Sequence, residues 1–178
     1  PLDLLLACEY DWIAPAQLWI AQARRSGDRA VLAKALAFLE RSLEKAEALG
    51  LVSVQVKVHS LRALTYTSLG NPSQAKAFLE CSLTLAEPQD YVRIFVEEGE
   101  PMREAIGNWR LEIGRRRDLT EVQTRLMAYT DKLLEAFTNH AAESPITHEK
   151  ARLLPHQPGL VEPRGAHDHG QVVDRSRK

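Results

Sequence analysis

The chain repeats one pattern of apolar and polar positions at an interval of forty residues. Residues 35–47 (ALAFLERSLEKAE) and 75–87 (AKAFLECSLTLAE) are identical at nine of thirteen positions. In each copy the apolar residues recur at helical spacing: Leu36, Leu39, Leu43 and Ala46 in the first, Ala75, Leu79, Leu83 and Ala86 in the second. Each copy is therefore predicted to be an amphipathic helix with one face to bury. A glycine punctuator precedes each copy, Gly27-Asp28 or Gly70-Asn71-Pro72, and a further helical stretch precedes that. Glycine readily takes the left-handed conformation that ends a helix, and proline suits the first turn of the next. The predicted unit is helix, tight turn, helix, stacked at least twice, with Ala75 expected where the helices touch.

One segment conflicts with this pattern locally. Residues 52–58 alternate valine with polar side chains, the mark of a half-buried strand. The pattern then shifts to Leu61, Ala63, Leu64, Tyr66 and Leu69, and a lone short strand would have no partner elsewhere in the chain. One helix over about residues 51–69 is predicted, with tertiary packing overriding valine's preference. Downstream, Pro88 and Gly99 with Pro101 bracket a piece over 91–98 that has room for only a couple of helical turns. A further helix is predicted over 102–113. The basic run Arg115-Arg116-Arg117 just beyond it reads as a solvated helix end. Val122, Leu126, Tyr129, Leu133, Leu134 and Phe137 mark a long amphipathic helix over about 120–142, with Thr120 as its N-cap.

The expected organisation is an all-α stack of antiparallel helix pairs over residues 1–142. Residues 143–178, rich in proline, histidine, glycine and charge, form a flexible linker and polar tail with little to bury. At 178 residues the chain is long enough for one domain with a real core and short for two. Its 23 basic and 24 acidic residues leave a formal net charge of -1, which is no electrostatic footprint for nucleic acid. Cys8 and Cys81 are the only cysteines and lie in no metal-spaced pair, so a reduced, cytoplasmic setting is expected. Leu5-Leu6-Ala7-Cys8 has the look of a lipoprotein signal, but too few residues precede the cysteine and none is basic. No apolar run approaches the roughly 18 residues of a membrane span, and no membrane role is expected. A first residue of proline in place of methionine suggests that the chain begins inside a longer protein.

Two motifs carry a family resemblance. Ala63, Tyr66, Gly70, Ala75, Leu79 and Ser82 fall at a spacing similar to that of the tetratricopeptide repeat, although Ser82 stands where that pattern prefers alanine and Pro88 falls about one residue late. Leu85-Ala86-Glu87-Pro88, Tyr91-Val92-Arg93, Phe95-Val96, Gly99, Pro101 and Met102 closely resemble a block in the helical repeat region of MalT-like, ATP-binding regulators of the LuxR family. Tyr129, Leu133, Leu134 and Phe137 resemble the last helix before those proteins' linker, and Leu160-Val161-Glu162-Pro163 resembles the linker's end. The resemblance implies a tetratricopeptide-like α-α superhelix. It also implies a division of labour: a nucleotide-binding switch, a central helical segment for sensing and oligomerisation, and a helix-turn-helix that binds promoters.

Only the central part is expected here. No G-x4-G-K-[ST] phosphate loop occurs in the chain, so ATP belongs to a part of the family that this sequence lacks, and no cofactor is expected. After Pro163 the family's DNA-binding domain should begin, but residues 164–178 carry no apolar periodicity and cannot make a recognition helix. A shifted reading frame or a truncated gene end would account for this departure. Specific DNA binding by this chain alone is therefore not expected.

The repeat resemblance implies that Lys57, Ser60, Leu64 and Thr67 line the inner groove of the superhelix, where a protein or small-molecule inducer would sit, with self-association as a further use. Ala63 and Tyr66 would face the partner helix. His167, Asp168 and His169 supply too few fixed ligands for a metal. His59 has no nucleophile placed beside it by any motif. Tyr10, Trp12 and Trp19 cluster in sequence and are read as capping the core of a terminal repeat. No nucleophile with a base, no paired carboxylates and no phosphate loop point to catalysis, so the chain is expected to be non-enzymatic. Two functions stay open: a sensor segment of a transcription regulator, and a free-standing repeat scaffold for another protein.

Overall fold

The computed structural model describes residues 13–143. Among these residues seven α-helices follow one another: α1 (Ala14–Ser26), α2 (Arg29–Ala48), α3 (Val52–Ser68), α4 (Pro72–Ala86), α5 (Arg93–Val96), α6 (Glu100–Gly114) and α7 (Glu121–Glu143). A 3-10 turn (Glu87–Gln89) follows α4, and no strand occurs among the described residues. The chain is an all-α helical repeat built of the pairs α1–α2, α3–α4 and α6–α7, with the short segment around α5 inserted before the third pair.

Turn chemistry sets the helix boundaries as the sequence predicts. Gly27 ends α1 at φ 72° with its N–H on the Ala23 carbonyl, and Asp28 caps α2 by accepting from the N–H groups of Ala30 and Val31. Gly70 repeats the device at φ 73°, and Asn71 accepts from Gln74 N–H at 3.2 Å ahead of Pro72. Thr120 and Gln123 form a reciprocal capping box: Gln123 N–H donates to Thr120 Oγ1 at 3.2 Å, and Thr120 N–H donates to Gln123 Oε1 at 3.1 Å. Helix α6 begins two residues earlier than predicted, because Pro101 fits a first helical turn, where its missing N–H is not needed.

The valine run is helical, and its strand-like look has a geometric cause. Helix α3 lies between two apolar clusters. Val54, Val58 and Leu61 pack with Ile20, Leu39 and Ala46 of α1 and α2. Val56 and Ala63 pack into the second cluster with residues of α4 to α7, and Val52 lies against it. At about 100° per residue, positions 52 and 56 point opposite to positions 54 and 58. A helix buried on two opposite faces thus puts apolar residues at every second position over one short stretch.

The insert adds to the core. Ile94, Phe95 and Val96 are buried, with Phe95 fully enclosed and in edge contact with Tyr129 at 6.3 Å between ring centres. The Tyr129 hydroxyl donates to the Tyr91 carbonyl, tying the insert to α7. On α7, Leu126, Tyr129, Leu133 and Phe137 are buried, whereas Val122, counted with them in the pattern, is exposed near the helix start. Ser82 replaces the expected alanine by sealing a polar contact: it donates to the Val56 carbonyl at 3.0 Å and lies 2.8 Å from Ser60 Oγ, with both side chains fully buried.

Candidate ligand cleft

A cleft of about 340 Å³ opens between the α3–α4 turn and helix α6. Small residues make the space. Ala63 on α3, Gly70 in the turn, Ala75 on α4 and Ala105 on α6 leave room that larger side chains would fill, while Leu79, Pro101 and Trp109 supply apolar walls. Ala75 was expected at a closed helix contact. It is only part-buried and lines this opening, with Ala105, Asn108 and Trp109 of α6 on the other side.

Charged groups ring the cleft. Lys76 and Glu112 pair across it between α4 and α6, and the hydrogen bond from Lys76 holds the Glu112 carboxyl below its ordinary range. Arg24, reaching in from the end of α1, donates through Nε to Ser68 Oγ at 3.4 Å. Partial burial lowers the Arg24 guanidinium from its usual value, while Glu98 and Glu104 pull it the other way. The side chains of Glu104 and Asn108 make no hydrogen bond or ion pair among the described residues, although both residues line the cleft. The opening thus offers an apolar floor with unspent polar groups at its rim, the usual make-up of a small-molecule site.

The first two helix pairs, their glycine-turned hairpins and the insert with Phe95 all lie within one family match. The family model described as the MalT-like TPR region matches residues 5–106, more than half of the chain. The chain belongs to that family. No curated protein and no solved structure gives a match.

The structure places the expected groove residues differently. Lys57, Ser60 and Leu64 do not line an open surface: Lys57 has 5 % of its side chain exposed, and Ser60 and Leu64 are buried in the core. Lys57 Nζ lies 2.6 Å from Glu98 Oε1, and that same oxygen accepts from Gln17 Nε2 of α1 at 3.0 Å. Residues following α5 therefore occupy the polar end of the α3 stripe. Of the four groove positions only Thr67 reaches the cleft, exposed on its wall with its hydroxyl bonded to the Ala63 carbonyl at 3.0 Å. Ala63 lines the cleft too, and Tyr66 stacks on Phe78 of α4 at 5.3 Å.

The remaining candidates hold structural positions. His59 stacks on Phe78 at 5.9 Å, and the Arg62 guanidinium lies 4.0 Å from that ring's centre. Burial, aided by the Arg62 charge, pushes His59 down to about 4. A histidine so placed is neutral near pH 7 and carries no reacting partner. Trp19 meets Phe38 edge-on at 5.6 Å with Lys34 Nζ 4.1 Å above its ring, so it joins α1 to α2. Cys8, Tyr10, Trp12, the histidines at 167 and 169 with Asp168, and the linker motif at 160–163 lie outside the described residues. Among the described residues no three acidic, histidine or cysteine side chains group as metal ligands. No described helix is long and apolar enough to cross a membrane.

The residues that sequence reasoning missed are Arg24, Glu104, Asn108 and Trp109. They come from α1 and α6, on either side of the repeat whose pattern was legible. No local motif marks them. Only the small residues Gly70 and Ala75 at the turn hinted that space would be left there.

Proposed function

We propose that this MalT-like region is the sensing segment of a LuxR-family transcriptional regulator, acting in the cytoplasm without catalysis, and that its inducer binds in the cleft between α3, α4 and α6. The carrying observation is the 340 Å³ opening with unspent polar groups, in a chain whose family match covers residues 5–106. Three elements meet at the opening: α6, the α3–α4 turn and, through Arg24, the end of α1. A ligand touching all three favours whichever arrangement of the repeats brings them together, and differential affinity is what shifts an equilibrium between arrangements. Sensing then needs no chemistry on the ligand, in keeping with a site that holds no nucleophile with a base.

A thermal-shift screen of small metabolites tests the reading. A true inducer raises the melting midpoint with its concentration, and Ala75→Trp, which fills the cleft, removes the rise while the protein still folds. Hits that act equally on the filled variant would contradict the location. A scaffold for another protein, the competing function, predicts no such hit at all.

A further inference from the structure

From the unspent charges at the cleft we infer the ligand's chemical class: a small zwitterion with an apolar body, of the size of a free amino acid to a dipeptide. This inference rests on the reading of the cleft as a ligand site and adds what that ligand is.

Charge placement carries it. Arg24 and Glu104 stand on different helices, α1 and α6, and both line the cleft. Arg24 feels the charges of Glu98, which is already paired with Lys57, and of Glu104, and among the described residues it forms an ion pair with neither. By contrast the other opposed pair at the same opening, Lys76 and Glu112, is closed. One cation and one anion are therefore spent on each other, and one cation and one anion are left facing a common space. Asn108, whose side chain has no hydrogen-bond partner among the described residues, adds an amide donor and acceptor beside Glu104 on α6.

A ligand with a single charge would meet one of these groups and leave the other facing it without a complement. A zwitterion meets both: its carboxylate accepts from the Arg24 guanidinium, whose fork suits two oxygens, and its ammonium donates to the Glu104 carboxylate. Between them Ala63, Ala75, Leu79 and Trp109 present apolar surface, which favours an aliphatic side chain over a polar one. The volume is ample for such a molecule and near the lower end for drug-sized ligands.

Calorimetric titration of the full chain tests this with four probes: the dipeptide Ala-Leu, N-acetyl-Ala-Leu with its ammonium blocked, Ala-Leu amide with its carboxylate blocked, and a neutral disaccharide. The expected result is binding of Ala-Leu, with each blocked form weaker by about tenfold or more, equivalent to about 1.4 kcal/mol. Arg24→Gln should weaken Ala-Leu without further weakening the amide, and Glu104→Gln should weaken Ala-Leu without further weakening the acetylated form. Both side chains are exposed, so the variants should fold, and circular dichroism checks that they do. Equal binding of a blocked form, or preference for the disaccharide, overturns the zwitterion class while leaving the cleft as a ligand site. No binding by Ala-Leu also overturns the class. The cleft reading itself falls if the metabolite screen gives no hit or if its hits survive Ala75→Trp.

Discussion

Replacing Lys57 by methionine should cost about 3–5 kcal/mol of stability, because it strands Glu98 in the interior. The Lys57 and Glu98 side chains are only 5 % and 10 % exposed, and their charged atoms lie 2.6 Å apart. At an effective dielectric of about 20, that separation corresponds to a gross attraction of about 6 kcal/mol. Desolvation of several kcal/mol per ion offsets most of it, so the pair adds little net stability, but its single-site removal is costly. Glu98→Gln keeps an acceptor for Gln17, which donates to Glu98 at 3.0 Å in the native protein. The double variant Lys57→Met/Glu98→Gln should therefore return to within about 1.5 kcal/mol of the native protein. Urea denaturation of the four proteins gives the cycle. With an m-value of about 2 kcal/mol/M, the Lys57→Met midpoint should fall by about 2 M. A cost below about 1 kcal/mol, the value of a surface pair, would mean that water reaches the site and that the insert does not close the α3 stripe.

Three further outcomes follow from the same structure. Ser82→Ala should cost about 1–3 kcal/mol by leaving Ser60 buried without its partner, whereas Ser60→Ala/Ser82→Ala should lose much less, as read from thermal melts. His59 is held down to about 4, below its unfolded value near 6.5, so the unfolded state binds its proton first as pH falls. Its contribution to stability is complete above about pH 6.5 and is lost toward about pH 4, and His59→Leu should flatten the midpoint's fall over that window. The chain alone should show less than tenfold preference for its own upstream DNA over scrambled DNA at about 0.15 M salt, by fluorescence anisotropy. A larger preference would reveal a base-reading element that neither the described helices nor the tail's pattern suggests.

Much of the fold was legible because it is written in local chemistry. Gly27-Asp28 and Gly70-Asn71-Pro72 state a helix stop and a helix start in adjacent residues, and Thr120 with Gln123 does the same for α7. The valine run was ambiguous by propensity, and the absence of any partner strand decided it. The site was much less legible. Repeat register puts Lys57, Ser60 and Leu64 on a groove, but register does not foresee that Glu97 and Glu98 fold back onto Lys57 or that Ser60 is buried against Ser82 of α4. Charge alone does not distinguish a buried lysine from a groove lysine, since the difference lies in Glu98, forty-one positions away in sequence. Arg24 and Glu104 were invisible for the same reason: their relation exists only once α1 and α6 face the turn between α3 and α4.

Chemical-shift mapping of the backbone amides and the Trp109 indole, during titration with a ligand obtained from the metabolite screen, tests the central claim most directly. The account predicts saturable shifts concentrated at Thr67, Gly70, Ala75, Ala105 and the Trp109 indole, with α2 and the outer face of α7 unmoved. Shifts centred on α2 or α7, with those five positions silent, would contradict a sensing cleft between α3, α4 and α6.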